Sequence, residues 1–250
     1  MPPTDPYATD LAAVHDSGFT GLAEQAATRI LELLSARGVD SGMVVELGSG
    51  PGRTARRLTD AGYDVLGFDL SPAMVALARE TAPAARFEAR SFLEVDLPPC
   101  EAVIAVGEVF NYRFDRSHRE EALAGFFGSV RAALSTNGIL VFDVAGPGRV
   151  PAGGPTRSQF GGEEWAVLME AEETKLGPGR AELVRRITTF RREREDLYRR
   201  SHETHRLRLL SPALVLDLLR GAGFRARVLR GYDGEPFAPG HRVYVARPGR

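Results

Sequence analysis

Val44-Val45-Glu46-Leu47-Gly48-Ser49-Gly50-Pro51-Gly52-Arg53 joins a short apolar run to a glycine-rich turn and then to a segment that can form a helix. Glycine reaches positive φ without strain, and its missing β-carbon lets a ligand lie directly against backbone. A strand, tight turn and helix in this order open a doubly wound α/β fold, whose ligands lie beyond the carboxyl ends of the parallel strands.

The alternation extends outward from this turn. Upstream, Leu22 to Leu34 has the period of an amphipathic helix closed by Gly38, behind a polar, proline-rich tip. Downstream, strands are expected at Met43–Leu47, Asp64–Phe68, Arg86–Ala89, Ala102–Val106 and Ile139–Val144. Helices between them cover Arg53–Ala61, the segment through Ala78 capped by Ser71-Pro72, and Ser117–Leu134. Apolar strands separated by helices indicate a parallel sheet buried on both faces. Gly146 to Pro155 reads as a linker, after which the period changes to two. Trp165, Val167 and Met169 alternate with Ala166, Leu168 and Glu170, a turn falls at Gly177-Pro178-Gly179, and Glu182–Phe190 and Leu197–Leu209 continue an antiparallel set. Ser211-Pro212 then caps a helix ended by Gly221-Ala222-Gly223, followed by strands Phe224–Leu229 and Arg242–Ala246. The expected organisation is one domain over 1–250. Residues 1–40 form a helical lid, 41–145 with 211–250 the ligand-binding core, and 146–210 a β-rich insertion covering the substrate.

Composition narrows the function. The 250 residues carry a formal charge of −1, so no global field favours nucleic acid or a membrane surface. Lys175 is the single lysine among 32 basic residues, a codon bias more than a binding signal. One cysteine, Cys100, allows no intrachain disulfide and no multi-cysteine zinc site. No apolar run approaches the roughly 20 residues of a bilayer span. The start, Met1-Pro2-Pro3-Thr4-Asp5-Pro6, lacks the regions of a secretory signal. A cytoplasmic protein, monomer or homodimer, is expected.

Two cofactor classes use such a turn. A dinucleotide fingerprint, Gly-x-Gly-x-x-Gly, would place its third glycine at position 53, which is Arg53. The chain instead has Gly48-x-Gly50-x-Gly52, with Asp69 at the end of the second strand, where a carboxylate can accept from both ribose hydroxyls.

With these residues the chain resembles the class I S-adenosyl-L-methionine (SAM) dependent methyltransferases of small-molecule type. The resemblance rests on Glu46 before Gly48-x-Gly50-x-Gly52, on Phe68-Asp69-Leu70-Ser71-Pro72-Ala73-Met74, and on Leu214 to Phe224 leading into a late strand. It implies a Rossmann-like, mostly parallel seven-stranded sheet with one antiparallel strand. It also implies SAM as cofactor, S-adenosyl-L-homocysteine as product, and no metal. Gly48, Ser49 and Gly50 would pass under the amino acid part of SAM, with Glu46 orienting it. Asp69 would hold the ribose, with Leu70 and Met74 beside adenine. Relatives carry an acid near the adenine amino group, where this chain has Ser91-Phe92. Gly107 and Glu108 would border the methyl path.

The acceptor side draws on three segments: Tyr7, His15 and Phe19; Phe110, Asn111, Tyr112 and Phe114; and Tyr198, His202 and His205. His202 and His205 are three apart and point to opposite faces of a strand, which disfavours a shared metal. His205 shares the face of Leu207 and Leu209. Tyr112 and His205 are the candidate catalytic residues, against the plainer readings of a pocket wall and a structural histidine. Arginines of the insertion alternate with acids, as on a solvated sheet face, and favour a small-molecule acceptor over nucleic acid. The expected activity is in-line methyl transfer to an N, O or C nucleophile. A non-catalytic SAM-binding regulator and an NAD-dependent oxidoreductase are the alternatives.

Overall fold

The computed structural model describes residues 6–115, 120–151, 154–177 and 179–249. Its core is a seven-stranded sheet of β1 (Gly42–Leu47), β2 (Tyr63–Asp69), β3 (Arg86–Ala89), β4 (Cys100–Ala105), β5 (Leu134–Ala145), β10 (Phe224–Leu229) and β11 (His241–Pro248). The order is β10-β11-β5-β4-β1-β2-β3, with β11 antiparallel to both neighbours and the other pairs parallel. This is the doubly wound, one-antiparallel-strand sheet expected of class I methyltransferases. The chain runs outward from β1 to β3 and then returns to the other side at β4. The crevice lies at that reversal, beyond the carboxyl ends of β1 and β4.

Both faces of the sheet are packed. Helices α2 (Gly21–Ser35), α3 (Arg53–Asp60) and α4 (Pro72–Thr81) cover one, through Ile30, Leu34, Leu58 and Val75. Helices α5 (Glu120–Ala133) and α6 (Pro212–Gly221) cover the other, where Phe92, Phe110, Phe126, Phe127 and Phe142 form an aromatic core. The caps read from sequence are in place. Ser71 Oγ accepts from Met74 N at 3.2 Å, and Ser211 Oγ accepts from Leu214 N at 3.3 Å. The expected Ser117 start of α5 and the Pro178 of the hairpin turn lie outside the described residues, as do part of the 146–155 linker and the residues before Pro6.

The insertion is a four-stranded antiparallel sheet in the order β6 (Thr156–Gly161), β7 (Trp165–Gly177), β8 (Arg180–Arg194), β9 (Leu197–Leu209). Arg185 pairs with His205, Leu183 with Leu207 and Ile187 with Glu203, so these six side chains share one face. That face turns inward. Leu183, Leu207 and Leu209 pack on Ala145 at the end of β5, and Tyr112 forms an antiparallel bridge with Leu207.

Two elements differ from the sequence reading. Residues 9–18 form helix α1 (Thr9–Gly18), within the span expected to be a helical lid but in the part read as a polar tip ahead of its helix. Its ten residues fall short of the length at which a helix is stable alone. Leu11 and Val14 pack on Val167 and Ile187 of the insertion, and tertiary contact makes the helix. Strand β6 has no apolar alternation and stays exposed; its pairing with β7 makes it a strand.

The glycine turn is also a packing element. Gly52 has φ +81°, and a β-carbon there would stand 2.9 Å from the Ala78 Cα of α4. Left-handed strain adds roughly 1–2 kcal/mol for a side chain. Gly52→Ala is therefore expected to lower unfolding free energy by more than about 2 kcal/mol in urea titration.

Candidate active site

A cavity of about 520 Å³ lies at the carboxyl ends of β1, β2 and β4. That is within the roughly 300–1,000 Å³ of small-molecule sites. Gly48 and Gly50 on its wall have φ of +62° and +52°. A β-carbon at Gly50 would meet nothing within 4 Å, so the backbone there borders open space, whereas one at Gly48 would run into the Val109 side chain. The Gly50 N–H donates to Asp69 Oδ2 at 2.9 Å, and Ser71 N–H donates to Oδ1 at 2.8 Å. Asp69 thus ties the turn after β1 to the start of α4. Burial raises its carboxyl above the ordinary value, and the two amides pull it back. Each oxygen keeps a lone pair for a ligand hydroxyl.

Glu46 is 2% exposed, and its Oε2 is buried without a hydrogen-bond partner among the described residues. Burial pushes its carboxyl up to about 8, with the Asp69 charge adding and hydrogen bonds from Thr54 and the Ala55 amide opposing. Leu70, Met74 and Phe92 supply an apolar part of the wall. An orphaned carboxyl oxygen, a glycine cradle, a carboxylate with free lone pairs and an apolar slot fit the ammonium, backbone, ribose and adenine of SAM.

The cavity brings together most of the sequence candidates: Glu46, Gly48, Ser49, Gly50, Asp69, Leu70, Met74, Phe92, Gly107 and Tyr112 all line it. Three stand off the wall. Ser91 caps the one-turn helix at Phe92 through Leu93 N–H, and its hydroxyl donates to Asp115, which does line the cavity. Glu108 is buried, at φ +63°, and pairs with Arg185 at 2.7 Å and Arg149 at 3.1 Å. His205 is 1% exposed, and its ring contacts Tyr7, Tyr112 and Phe114, which do form the wall.

The loop after β4 divides by role. Phe110 is in the aromatic core, and Asn111 is fully buried. Asn111 Nδ2 donates to the carbonyls of Ala145 and Arg208, and its Oδ1 accepts from Ala145 N at 2.9 Å. It clamps β5 to β9 and faces no ligand. Tyr198 and His202 lie on the exposed part of the insertion, with His202 Nδ1 on Thr188 Oγ1 at 2.9 Å.

The N-terminal segment closes the site. Tyr7, His15 and Phe19 line the cavity, and Tyr7 and Tyr112 hydroxyls are 2.8 Å apart. Burial raises both phenols; at Tyr112 the Arg185 guanidinium opposes it. Both remain protonated at neutral pH and act as hydrogen-bonding groups. Arg53, which broke the dinucleotide pattern, holds this segment: its Nε donates to Asp16 at 2.9 Å.

Sequence reading missed three anchoring groups. Asp143, fully buried, accepts from Gly107 N at 2.9 Å, Glu108 N at 2.8 Å, Tyr232 OH at 2.7 Å and His241 Nε2 at 2.7 Å. It fixes the Gly107–Glu108 peptide at the end of β4. The signal was one acid inside the apolar run of β5. Glu203 accepts from the amides of Tyr7 and Ala8 and from His205 Nε2. Arg185 stands on the insertion's inner face with Glu203 and His205, beside Tyr112.

Residues 44–133 match the methyltransferase domain model. A glycine/sarcosine N-methyltransferase from Parasynechococcus marenigrum is 30% identical over 163 residues, 62% of this chain and 54% of that protein. The match therefore spans about half the length of that relative. A SAM-dependent methyltransferase from Clostridium acetobutylicum superposes with TM-score 0.80 at 15% identity, covering 96% and 98% of the two chains. An amino pentose methyltransferase from Micromonospora echinaspora gives TM-score 0.71 at 21% identity, covering 94% of each. Residues 44–133 thus carry a methyltransferase domain, and the chain has the fold of the SAM-dependent methyltransferases.

Glu46 generates a pH prediction. A carboxyl at about 8 is mostly protonated in the free protein at pH 7 and ionises when an ammonium lies against it. SAM binding at pH 7 is expected to release about one proton, and affinity to rise with pH up to about 8. Calorimetry in buffers of different ionisation enthalpy reads the release, which Glu46→Gln should abolish.

Proposed function

We propose that the protein methylates an amine of a small polar molecule, in the cytoplasm, as a monomer or homodimer. One observation supports this reading above the others: a single cavity joins the glycine turn and Asp69 to a wall of Tyr7, His15, Phe19, Tyr112 and Phe114. Bound SAM supplies an electrophilic methyl group on a sulfonium. The chain's residues must bind, orient and exclude water, and orientation alone accounts for roughly 7–11 kcal/mol of such a barrier.

The assignments follow from the wall. Glu46 and the Gly48–Gly50 backbone take the amino acid end, Asp69 the ribose, and Leu70, Met74 and Phe92 the adenine. Ser91 acts through Asp115, and Glu108 acts by setting the Gly107 loop and the Arg185 guanidinium. On the acceptor side, Tyr112 presents a protonated hydroxyl, and His205 holds the rings of Tyr7 and Tyr112 from behind. The aromatic groups favour the cationic character that an amine gains as it is methylated. A neutral amine needs no strong base, and both cavity phenols are held protonated by burial. The name of the glycine/sarcosine N-methyltransferase supports the same nucleophile.

The test is methyl transfer from labelled SAM to glycine, an amino pentose and an amino hexose, with matched hydroxyl compounds alongside. Label is expected on an amine nitrogen, and Tyr112→Phe should slow it. Label on the hydroxyl compounds alone would contradict the reading.

A further inference from the structure

His15 carries its ring to the cavity wall on α1, and its Nδ1 is buried with no hydrogen-bond partner among the described residues. The ring is held in place: it stacks on Phe19 at 5.9 Å and meets Tyr7 edge-on at 5.5 Å. The polar groups around it are engaged elsewhere, except His205 Nδ1, which is likewise buried without a hydrogen-bond partner among the described residues. Asp16 takes Arg53, the Tyr7 hydroxyl takes Tyr112, and His205 Nε2 takes Glu203. A buried ring nitrogen left unpaired loses its hydration with nothing in return. A ligand in the cavity can supply the missing partner.

Burial lowers the imidazole to about 4, with Asp16 opposing and His205 adding to the shift. The ring is therefore neutral through the neutral range and carries one N–H and one lone pair. A protonated ring would repel a cationic cofactor; a neutral one does not.

We propose that His15 is a specificity-determining contact of the acceptor site, whose unpaired ring nitrogen takes an N–H or O–H of the molecule to be methylated. This rests on the amine-methylation reading and narrows it. The acceptor is a polar molecule that offers a hydrogen-bond donor close to its nucleophile, such as a primary or secondary amine or an amino alcohol.

His15→Phe keeps the stack on Phe19 and removes the nitrogen; His15→Gln keeps a polar group. Both full-length variants are assayed with labelled SAM and glycine, the amino pentose and the amino hexose. In His15→Phe, kcat/KM for the methylated amine is expected to fall about tenfold, the scale of one lost hydrogen bond, with SAM Kd changed by less than about twofold. His15→Gln should recover part of the loss. An unchanged kcat/KM in His15→Phe overturns the proposal.

A second readout does not need turnover. Histidine-labelled protein with S-adenosylhomocysteine bound is titrated with the same three amines while imidazole ¹⁵N resonances are followed. The His15 signal, assigned by its loss in His15→Gln, is expected to move. A signal unmoved by all three amines overturns the proposal even where one of them is methylated. A moved signal without methylation retains His15 as a contact and removes the amine-methylation reading.

Discussion

Tyr7 has three polar groups, and each goes to a different body of the protein. Its amide donates to Glu203 of the insertion at 2.9 Å, and its carbonyl accepts from Ser71 of the core at 2.8 Å. Its hydroxyl meets Tyr112 in the loop after β4. The residue holds φ +50°, a conformation in which a non-glycine residue is strained, so the surrounding contacts must over-determine it. This junction turns the crevice at the sheet reversal into a cavity. Ser71 is also the N-cap of α4 and donates its amide to Asp69, so the closing segment is tied to the cofactor side within two residues.

Behind that junction, buried polar groups make the rest of the site rigid. Asp143 fixes the peptide of Gly107 and Glu108, Asn111 clamps β5 to β9, and Glu203 receives the N-terminal amides. A buried carboxylate is costly unless its lone pairs are filled, and Asp143 fills them four ways. Such groups join elements distant in sequence: Asp143 links β5 to the β4 loop and to β11, Asn111 links that loop and β5 to the insertion, and Glu203 links the insertion to the N-terminal segment. The insertion is held by these links and by the small apolar cluster around Leu207 and Ala145.

What could be read from sequence was local. The glycine turn, the Ser71-Pro72 cap and the acid at Asp69 each carry their reason within a few residues, and strand-helix alternation carried the sheet. The period-two pattern also placed His205 on the inner face with Leu207 and Leu209, where it stands. Partners across long separations were not legible. His205 is packed behind Tyr7 and Tyr112, and Glu108 is held by Arg185 and Arg149, because the insertion folds back over the β4 loop. Helix α1 exists through contacts with a sheet about 150 residues later, and no local pattern announces it. Arg53 shows the same limit. It was legible as a missing glycine, but its role as the anchor of Asp16 was not.

On the proposed reading one cavity, with the glycine turn on one wall and the N-terminal aromatics on the other, holds SAM and its methyl acceptor. A crystal structure with sinefungin, a SAM analogue, tests it most directly. The account predicts the analogue in this cavity, its ribose on Asp69, its amino acid end at Glu46 and Gly48, and its reactive side toward Tyr7, His15 and Tyr112. An analogue bound outside the cavity, or with its reactive side turned away from those rings, would contradict it.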